Sequence, residues 1–310
     1  MNIVTRKFSF ESKWDGVVIR GICMVPEKPV AILQMVHGMC EHKERFLPFM
    51  QNMAERGYIT VLHDNRGHGA SVEKSEDIGY CYDSMEKGYI EDIYRVTRNI
   101  RKAYPNLPLI LYGHSMGSLA VRAYLRNHDN AIDALIVSGC PAYNNMVPAG
   151  RLLVKTIARL YGMRYRSKHI QNLVLRSFEK RFRKENRKNA WLAAEESVAE
   201  KFETDPLCTF TYTMNGILTL LNLESITYKA AGYQVKNPDL PVLFLSGKDD
   251  PCYINEQKWN HAVKRMRNLG YHQLTEIRYD GMRHEIHNEK DKDRVFEDID
   301  YFCRSILQPV

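Results

Sequence analysis

Apolar residues follow two different patterns along the chain. Near the N-terminus they alternate with polar residues over positions 7–12 and 17–25, and Asp15-Gly16 between these stretches is a favoured hairpin turn. Further on, apolar residues form short continuous runs, which predict strands buried on both faces of a parallel sheet. These runs cover residues 30–36, 58–63, 107–112, 134–138 and 241–246. A further strand is predicted over residues 273–279.

Between the apolar runs, hydrophobic residues recur at helical spacing. The predicted helices cover residues 47–57, 85–104, 118–128 and 256–269, and a last helix has Val295, Ile299, Phe302 and Ile306 on one face. Asp83 followed by Glu86 predicts a capping box at the start of the second helix. The alternation of strands and helices predicts an α/β fold with a mostly parallel, doubly wound sheet, whose functional groups lie at the carboxyl ends of its strands.

The alternation stops after Gly139 and resumes only with the strand at 241–246. In between we find helical patterns over 151–161, 170–185, 191–202 and 210–227, and no clear strand. We therefore expect an α/β core, residues 1–140 and 239–310, divided by a helical insertion over residues 141–238. An insertion at this point would cover the strand ends as a cap or lid.

One pentapeptide carries candidate chemistry, Gly113-His114-Ser115-Met116-Gly117. It lies between a predicted strand and a predicted helix, which is the setting in which a G-x-S-x-G sequence raises its serine out of the sheet as a nucleophile. Glycines at both ends leave room for a crowded turn. By itself the pentapeptide also fits an ordinary glycine-containing turn, so the prediction depends on its partners.

A serine nucleophile needs a base and an acid that orients the base. In this chain order the acid follows a strand after the insertion and the histidine follows the last strand. Asp249 and Asp250 both occupy the first place, and we favour Asp250 because Pro251 stiffens its turn, although either carboxylate could cap the next helix. His284 occupies the second place, and we expect His287 to be solvated.

The oxyanion of such a reaction needs two backbone N–H donors. The residue after the nucleophile, Met116, supplies one. The loop after the strand at 30–36 supplies the other, and in His37-Gly38-Met39 the glycine permits a turn that makes Met39 the second candidate.

The charge of the chain is unevenly distributed. The formal net charge is +7, but residues 151–190 contain 13 Lys or Arg and two acids, a local +11, which leaves about −4 for the remainder. In this segment Arg151, Lys155 and Arg159 alternate with apolar residues, which is typical of a helix on an anionic membrane surface. A cap helix with its apolar face packed inward gives the same pattern. No nucleic-acid-binding module accompanies the basic residues, so no nucleic-acid partner is expected.

Seven cysteines are scattered without paired or zinc-type spacing, which predicts free thiols, and Cys40 and Cys252 beside the candidate site are expected to be packing residues. No apolar run is long enough for a secretory signal or a membrane span. The expected location is therefore cytoplasmic, with a peripheral membrane association if the basic helix binds lipid.

Four motifs in this order resemble the monoacylglycerol lipase and lysophospholipase branch of the α/β hydrolases, from about residue 8 to the C-terminus. They are His37-Gly38-x-x-Glu41-His42-x-x-Arg45-Phe46, Asp64-x-Arg66-Gly67-His68-Gly69-x-Ser71, the Ser115 pentapeptide and Gly281-Met282-Arg283-His284-Glu285. The resemblance implies a triad of Ser115, Asp250 and His284, with Met39 and Met116 as oxyanion donors. It also implies a cap over a lipid-accepting groove and a scaffolding loop at 64–71, in which Arg66 tethers neighbouring loops.

The leading hypothesis is a serine hydrolase that cleaves single-chain lipid esters through an acyl-enzyme, without cofactor or metal. The same triad also fits a short-chain carboxylesterase, a thioesterase or a small-amide hydrolase. Epoxide hydrolases and dehalogenases are disfavoured because they need a carboxylate where Ser115 stands. A binding protein of hydrolase fold without turnover is the alternative from another class.

Overall fold

A computed structural model describes residues 2–307. Within them, eight strands form one sheet in the order β1-β2-β4-β3-β5-β6-β7-β8. The first two strands are antiparallel to each other, β2 is antiparallel to β4, and the neighbours from β4 to β8 are parallel. The strands are β1 Ile3–Glu11, β2 Val18–Pro26, β3 Ala31–Val36, β4 Tyr58–His63, β5 Leu109–His114, β6 Ala134–Ser138, β7 Val242–Gly247 and β8 Leu274–Tyr279.

Helices cover both faces of the sheet. In the described residues the α-helices are α1 Leu47–Glu55, α2 Met85–Ala103, α3 Met116–His128, α4 Val147–Tyr161, α5 Lys168–Arg181, α6 Glu196–Thr204, α7 Met214–Tyr228, α8 Glu256–Leu269 and α9 Lys292–Leu307. The apolar stripes of α1 and α9 pack on one face, and those of α2, α3 and α8 pack on the other. Every residue of β3 to β7 is buried, as the continuous apolar runs predict. The α/β-hydrolase fold class is confirmed.

The structure corrects the predicted cap of α2. The helix begins at Met85, and no side chain caps its first turn. The Asp83 carboxylate instead accepts a hydrogen bond from the Tyr80 hydroxyl, and Glu86 accepts one from Asn222. The capping box is therefore wrong, because a neighbouring tyrosine takes one carboxylate and a residue of the insert takes the other.

Between β6 and β7 the chain forms α4 to α7, which we call the insert (residues 141–238). α7 packs against α3 of the core and against α4, and the insert has its own apolar cluster, which includes Val154, Phe202 and Ile217. The helix predicted at 191–202 begins only at Glu196, and Trp191 lies in an irregular segment before it.

The basic helix α4 buries a narrow face, Val147, Val154 and Ala158. Its larger apolar residues point outward, because Leu152 is 68%, Leu160 71% and Tyr161 66% exposed. An apolar face packed wholly inward is therefore wrong for this helix. No helix among residues 2–307 is long and apolar enough to cross a bilayer.

Candidate active site

Ser115 lies in a sharp turn between β5 and α3. Its backbone adopts φ 53° and ψ −120°, outside the ordinary regions for an L-residue. The Ser115 N–H donates to the Ser138 carbonyl of the neighbouring strand at 2.9 Å, and its carbonyl accepts from Ser118 in the first helical turn. These bonds fix the turn so that the half-buried side chain projects beyond the strand ends.

Both glycines of the pentapeptide are required by their surroundings. A Cβ on Gly117 would lie 2.3 Å from the Val36 carbonyl oxygen and 2.6 Å from that of His37. A Cβ on Gly113 would lie 2.5 Å from the Val121 side chain. Helix α3 thus approaches β3 closely only because Gly117 has no side chain.

Asp250 and His284 form a buried pair at the ends of the last two strands. His284 Nδ1 lies 3.1 and 3.0 Å from the two Asp250 carboxylate oxygens. Asp250 also accepts hydrogen bonds from the Cys252 backbone N–H at 2.8 Å and the Ser246 hydroxyl at 3.1 Å. These donors fix the carboxylate, so that Nδ1 carries the proton and Nε2 of the neutral ring is the acceptor, with Cys252 Sγ 3.8 Å from it.

The two side chains shift each other's pKa. Burial alone would lower the pKa of His284, but the Asp250 charge and hydrogen bond outweigh it and raise the pKa above its usual value. Burial alone would raise the pKa of Asp250, but His284 and the other donors lower it. The pair therefore favours an ionised aspartate and a histidine of increased basicity.

The neighbouring candidates have other surroundings. Asp249 is exposed at the surface, with Arg181 3.4 Å away. His287, expected in solvent, is buried and stacks on Phe46 with ring centroids 4.6 Å apart. Burial lowers the pKa of His287 to about 4. The solvated assignment of His287 was wrong, because only the tertiary structure places helix α1 and its preceding turn over this loop.

Ser115 and His284 both line one cavity of about 800 Å³ between the sheet ends and the insert. Within the described residues, no hydrogen bond is formed between the Ser115 and His284 side chains. Such catalytic bonds are often long in a free enzyme and tighten in the complex. The cavity wall is mostly apolar, and residues from α4, α5 and α7 contribute to it, among them Val154, Val174, Ile217 and Leu221. A depression of similar volume around Tyr143 and His261 touches none of the triad candidates.

The candidate oxyanion donors also line this cavity. A Cβ on Gly38 would lie 2.9 Å from Ser115 Cβ, so the loop after β3 runs directly beside the candidate nucleophile. Met116 begins α3, where the first N–H groups of a helix have no intrahelical acceptor. Met39 follows Gly38 in the same loop.

Asn65 fixes this loop, a role that no sequence pattern indicated. The Asn65 backbone N–H donates to His37 Nε2 at 2.9 Å, and its side-chain amide donates to the His37 carbonyl at 3.0 Å. His37 Nδ1 therefore carries the proton and donates to the Gly38 carbonyl at 2.9 Å. Burial, followed by the proximity of His68, lowers the pKa of His37, which keeps this ring neutral.

A buried ion network joins the same loop to the residue after His284. Arg45 donates to both carboxylate oxygens of Glu285, at 2.9 and 2.7 Å, and to Glu41 at 3.1 Å. Glu41 in turn accepts from the Gly38 N–H at 2.5 Å. Burial, then the Glu285 charge, raises the pKa of Glu41 to about 7. These residues belong to the motifs, but only the fold shows that they face one another.

The loop at 64–71 is a scaffold, as expected. Arg66 is fully buried and donates to Asp92, Asp15, Ser84 and Ser12, so it ties the N-terminal hairpin to α2. All seven cysteines are buried and free, which confirms the prediction of free thiols.

Three groups of His, Cys, Asp and Glu in the described residues are spaced closely enough to hold a cation. The first contains Asp250 and His284 themselves. The second, Glu41 with Glu285 and His287, already surrounds the Arg45 guanidinium. The third contains His42, which hydrogen-bonds to Glu44 and Asp205, and these bonds outweigh burial and raise the pKa of His42. Each group thus has a protein partner that neutralises its charge.

Comparison with known proteins places this geometry in a family. Residues 27–291 match the family described as serine aminopeptidase, S33. A monoacylglycerol lipase of Mycolicibacterium smegmatis is 25% identical over 273 residues, 87% of each chain.

Solved structures share the fold. A thermostable carboxyl esterase from Bacillus coagulans has a TM-score of 0.90 at 24% identity, over 98% of this chain and 99% of that one. A soluble variant of the Saccharomyces cerevisiae monoglyceride lipase, in complex with a substrate analog, has a TM-score of 0.74 at 18% identity, over 97% and 96%. The resemblance drawn from the four motifs is confirmed.

Proposed function

Because the chain belongs to the serine aminopeptidase S33 family and is a carboxylic ester hydrolase, we propose that it cleaves single-chain lipid esters of monoacylglycerol or lysophospholipid type. The observation that carries the proposal is the apolar cavity of about 800 Å³ above Ser115. A cavity of this size and lining suits one acyl chain, since each buried methylene contributes about 0.8 kcal/mol. The similarity to a monoacylglycerol lipase supports the same substrate class.

In the proposed mechanism Ser115 Oγ attacks the ester carbonyl while His284 Nε2 takes its proton. Asp250 accepts the Nδ1–H bond and stabilises the imidazolium that forms. His284 then gives the proton to the departing alcohol, which leaves an acyl-enzyme on Ser115. Water, deprotonated by His284, attacks the acyl carbonyl. The bond from the acyl carbon to Ser115 Oγ then breaks, His284 returns the proton to Oγ, and the fatty acid is released.

The N–H groups of Met39 and Met116 stabilise the oxyanion of both tetrahedral intermediates. The proximity of Gly38 to Ser115 supports this assignment, because it brings the donor loop to the reacting carbonyl. Each such donor contributes about 10² to 10³ in rate. No cofactor or metal takes part in these steps.

We further propose that the insert is a cap whose outer surface contacts anionic membranes. The exposed apolar residues Met146, Leu153 and Leu173 also line the cavity, so its mouth is apolar. Leu152 and Leu160 extend this surface, and the cations Lys155 and Arg159 lie on the same helix. Apolar residues beside cations favour the headgroup region of an anionic bilayer, where the substrate lies.

Hydrolysis of a series of chromogenic esters from acetyl to palmitoyl, with Ser115→Ala as the blank, tests the proposal. We expect kcat/KM to reach its maximum at medium or long chains and Ser115→Ala to lose at least 10³-fold in rate. A maximum at acetyl would replace the lipid proposal by a short-chain esterase. Thioester and amide analogues of the best ester test the remaining alternatives. Appreciable turnover by a folded Ser115→Ala would refute the nucleophile.

A further inference from the structure

An irregular segment of the insert runs along the loop that carries His284. We call residues 185–195 the clip segment. Its backbone carbonyl at Leu192 accepts from the Glu285 N–H at 2.7 Å, and that at Trp191 accepts from the His284 N–H at 3.4 Å. The Trp191 ring lies 5.1 Å from the His284 ring, centroid to centroid. The histidine is therefore held from the insert as well as from the sheet.

Glu289 fastens the two segments together. Its carboxylate accepts from the Ala194 N–H at 2.9 Å and the Glu195 N–H at 3.4 Å on the clip segment. It also accepts from the Arg283 N–H, one residue before His284, at 2.8 Å. Glu289 is 3% exposed, and burial raises the pKa of its carboxyl. One buried side chain thus joins backbone groups of the insert and of the histidine loop.

Arg283 forms a second connection, in which a side chain of the histidine loop donates hydrogen bonds to the clip segment. Its guanidinium donates to both carboxylate oxygens of Glu185, at 3.0 and 2.6 Å, and to the Ala190 carbonyl. It also lies over the Phe182 ring, 4.1 Å from the centroid. The residues on both sides of His284 are therefore bonded to the clip segment.

The clip segment also touches the place where substrate would lie. Trp191 and Leu192 line the cavity beside His284, and both are nearly fully buried. A ligand in the cavity would contact the side chains of Trp191 and Leu192. The backbone carbonyls of the same two residues accept hydrogen bonds from the His284 and Glu285 N–H groups. This continuity distinguishes the clip segment from a contact that only stabilises the fold.

We propose that the insert positions the general base: Glu289 and Arg283 hold the clip segment against the histidine loop, and cavity contents are thereby coupled to the placement of His284. The proposal rests on the triad proposed above and assigns Glu289 and Arg283 as positioning residues. A displacement of a catalytic group by about 1 Å can cost on the order of 10² in rate, so a loosened clip would lower kcat.

The test is Glu289→Gln in the full-length protein, assayed with a soluble short-chain ester. The amide keeps the size of the side chain but has one acceptor oxygen instead of two and carries no charge. We expect kcat to fall by about 10- to 100-fold with little change in KM. We also expect the acid limb of kcat/KM to move to lower pH, because a less well held His284 is less well paired with Asp250, whose charge raises its pKa.

Asp129→Asn is the matched control. Asp129 is another buried carboxylate that accepts two backbone N–H bonds, from Lys236 and Asn237, at 2.7 and 3.1 Å. It lies outside the cavity lining. We expect this variant to lower the melting temperature without moving the acid limb. If Glu289→Gln behaves like it, Glu289 is only structural and the proposal is wrong.

Glu185→Gln gives a milder second variant, because the Glu185 side chain is 37% exposed and the amide still offers one oxygen to Arg283. We expect a smaller fall in kcat and a smaller shift of the acid limb in the same directions. If Glu289→Gln does not fold, this variant decides, and an unchanged profile would overturn the proposal. A folded Ser115→Ala that keeps its activity would instead refute the triad, so the two failures are distinguishable.

Discussion

Ser115 holds a backbone conformation that costs an L-residue on the order of 1–3 kcal/mol, and its surroundings over-determine that conformation. The bond to the Ser138 carbonyl and the first turn of α3 fix it from two sides. The close packing of Gly117 on β3 prevents the turn from relaxing. The strain thus serves to expose a hydroxyl that would otherwise lie within the sheet.

Gly117→Ala tests this packing. The added methyl would meet two backbone carbonyl oxygens, which cannot move without shifting β3, so we expect about 1–3 kcal/mol of destabilisation and loss of most activity. Denaturant unfolding measures the effect. Gly150→Ala in α4 is the control, because its methyl would lie 3.6 Å from Leu221 and should stabilise the helix by about 0.5–1 kcal/mol. Equal stability of the two variants would contradict the argument.

The pH profile tests the Asp250–His284 pair. The base acts when His284 is neutral, and its pKa is raised, so kcat/KM should fall as the pH drops through a value above 6.5. Asp250→Asn removes the charge that raises this pKa and leaves the burial that lowers it. We therefore expect the acid limb to move to lower pH and the rate to fall by about 10⁴.

A rate-pH profile of both proteins on a soluble ester checks this. His287 cannot produce the limb, because burial lowers its pKa to about 4. An acid limb that stays in place in Asp250→Asn would mean that another group titrates.

Among individual residues, the candidate catalytic residues have a sequence pattern, whereas the residues that support them do not. Ser115, Asp250 and His284 were selected because catalysis requires those residue types in that order. Asn65 was not, because an asparagine in a polar loop has no distinctive pattern until His37 is placed beside it. His287 was misplaced for the same reason, since burial depends on elements distant in sequence.

At the scale of elements, the apolar residues of α4 fall into a buried group and an exposed group, which the sequence pattern alone does not distinguish. Val147, Val154 and Ala158 are small enough to pack closely on the insert, while Leu152 and Leu160 remain exposed. Exposed large apolar residues on a basic helix cost solubility and need a reason. The proposed contact with an anionic bilayer would supply that reason.

Charge reversal of Lys155 and Arg159 to glutamate tests that contact. We expect weaker binding to phosphatidylserine-containing vesicles, by about 1 kcal/mol for each cation lost, and little change with a soluble ester. Vesicle sedimentation measures the binding. The control reverses Arg98 and Lys102, which have the same spacing on exposed positions of α2. Equal losses in the two variants would point to net charge rather than to a docking surface.

Sequence patterns predicted strands and helices correctly where burial of apolar side chains determines the structure. Continuous apolar runs gave the buried strands, and helical spacing gave α8 and α9. The stretch around Trp191 was assigned to a helix, but its carbonyls at Trp191 and Leu192 bond to the histidine loop. Its backbone therefore satisfies its hydrogen bonds across the molecule rather than within a helix.

At the scale of the whole molecule, the sheet holds the candidate nucleophile Ser115 and the insert lines most of the cavity. The strand ends bring Ser115, Asp250 and His284 together, and the insert contributes most of the apolar wall. The basic residues also belong to the insert, while the remainder of the chain is slightly acidic. This uneven distribution of charge would orient the molecule with the cavity mouth toward an anionic surface.

The sequence by itself determined the fold class, the place of the insertion and the order of the candidate triad, because these depend on local periodicity and on residue types at fixed points of the chain. The tertiary structure decided which surface of α4 is exposed, how large the cavity is, and which backbone groups hold His284. Those features arise from contacts between segments such as residues 185–195 and 282–289, about a hundred positions apart. No local pattern specifies such a contact, since the packing of the whole chain determines it.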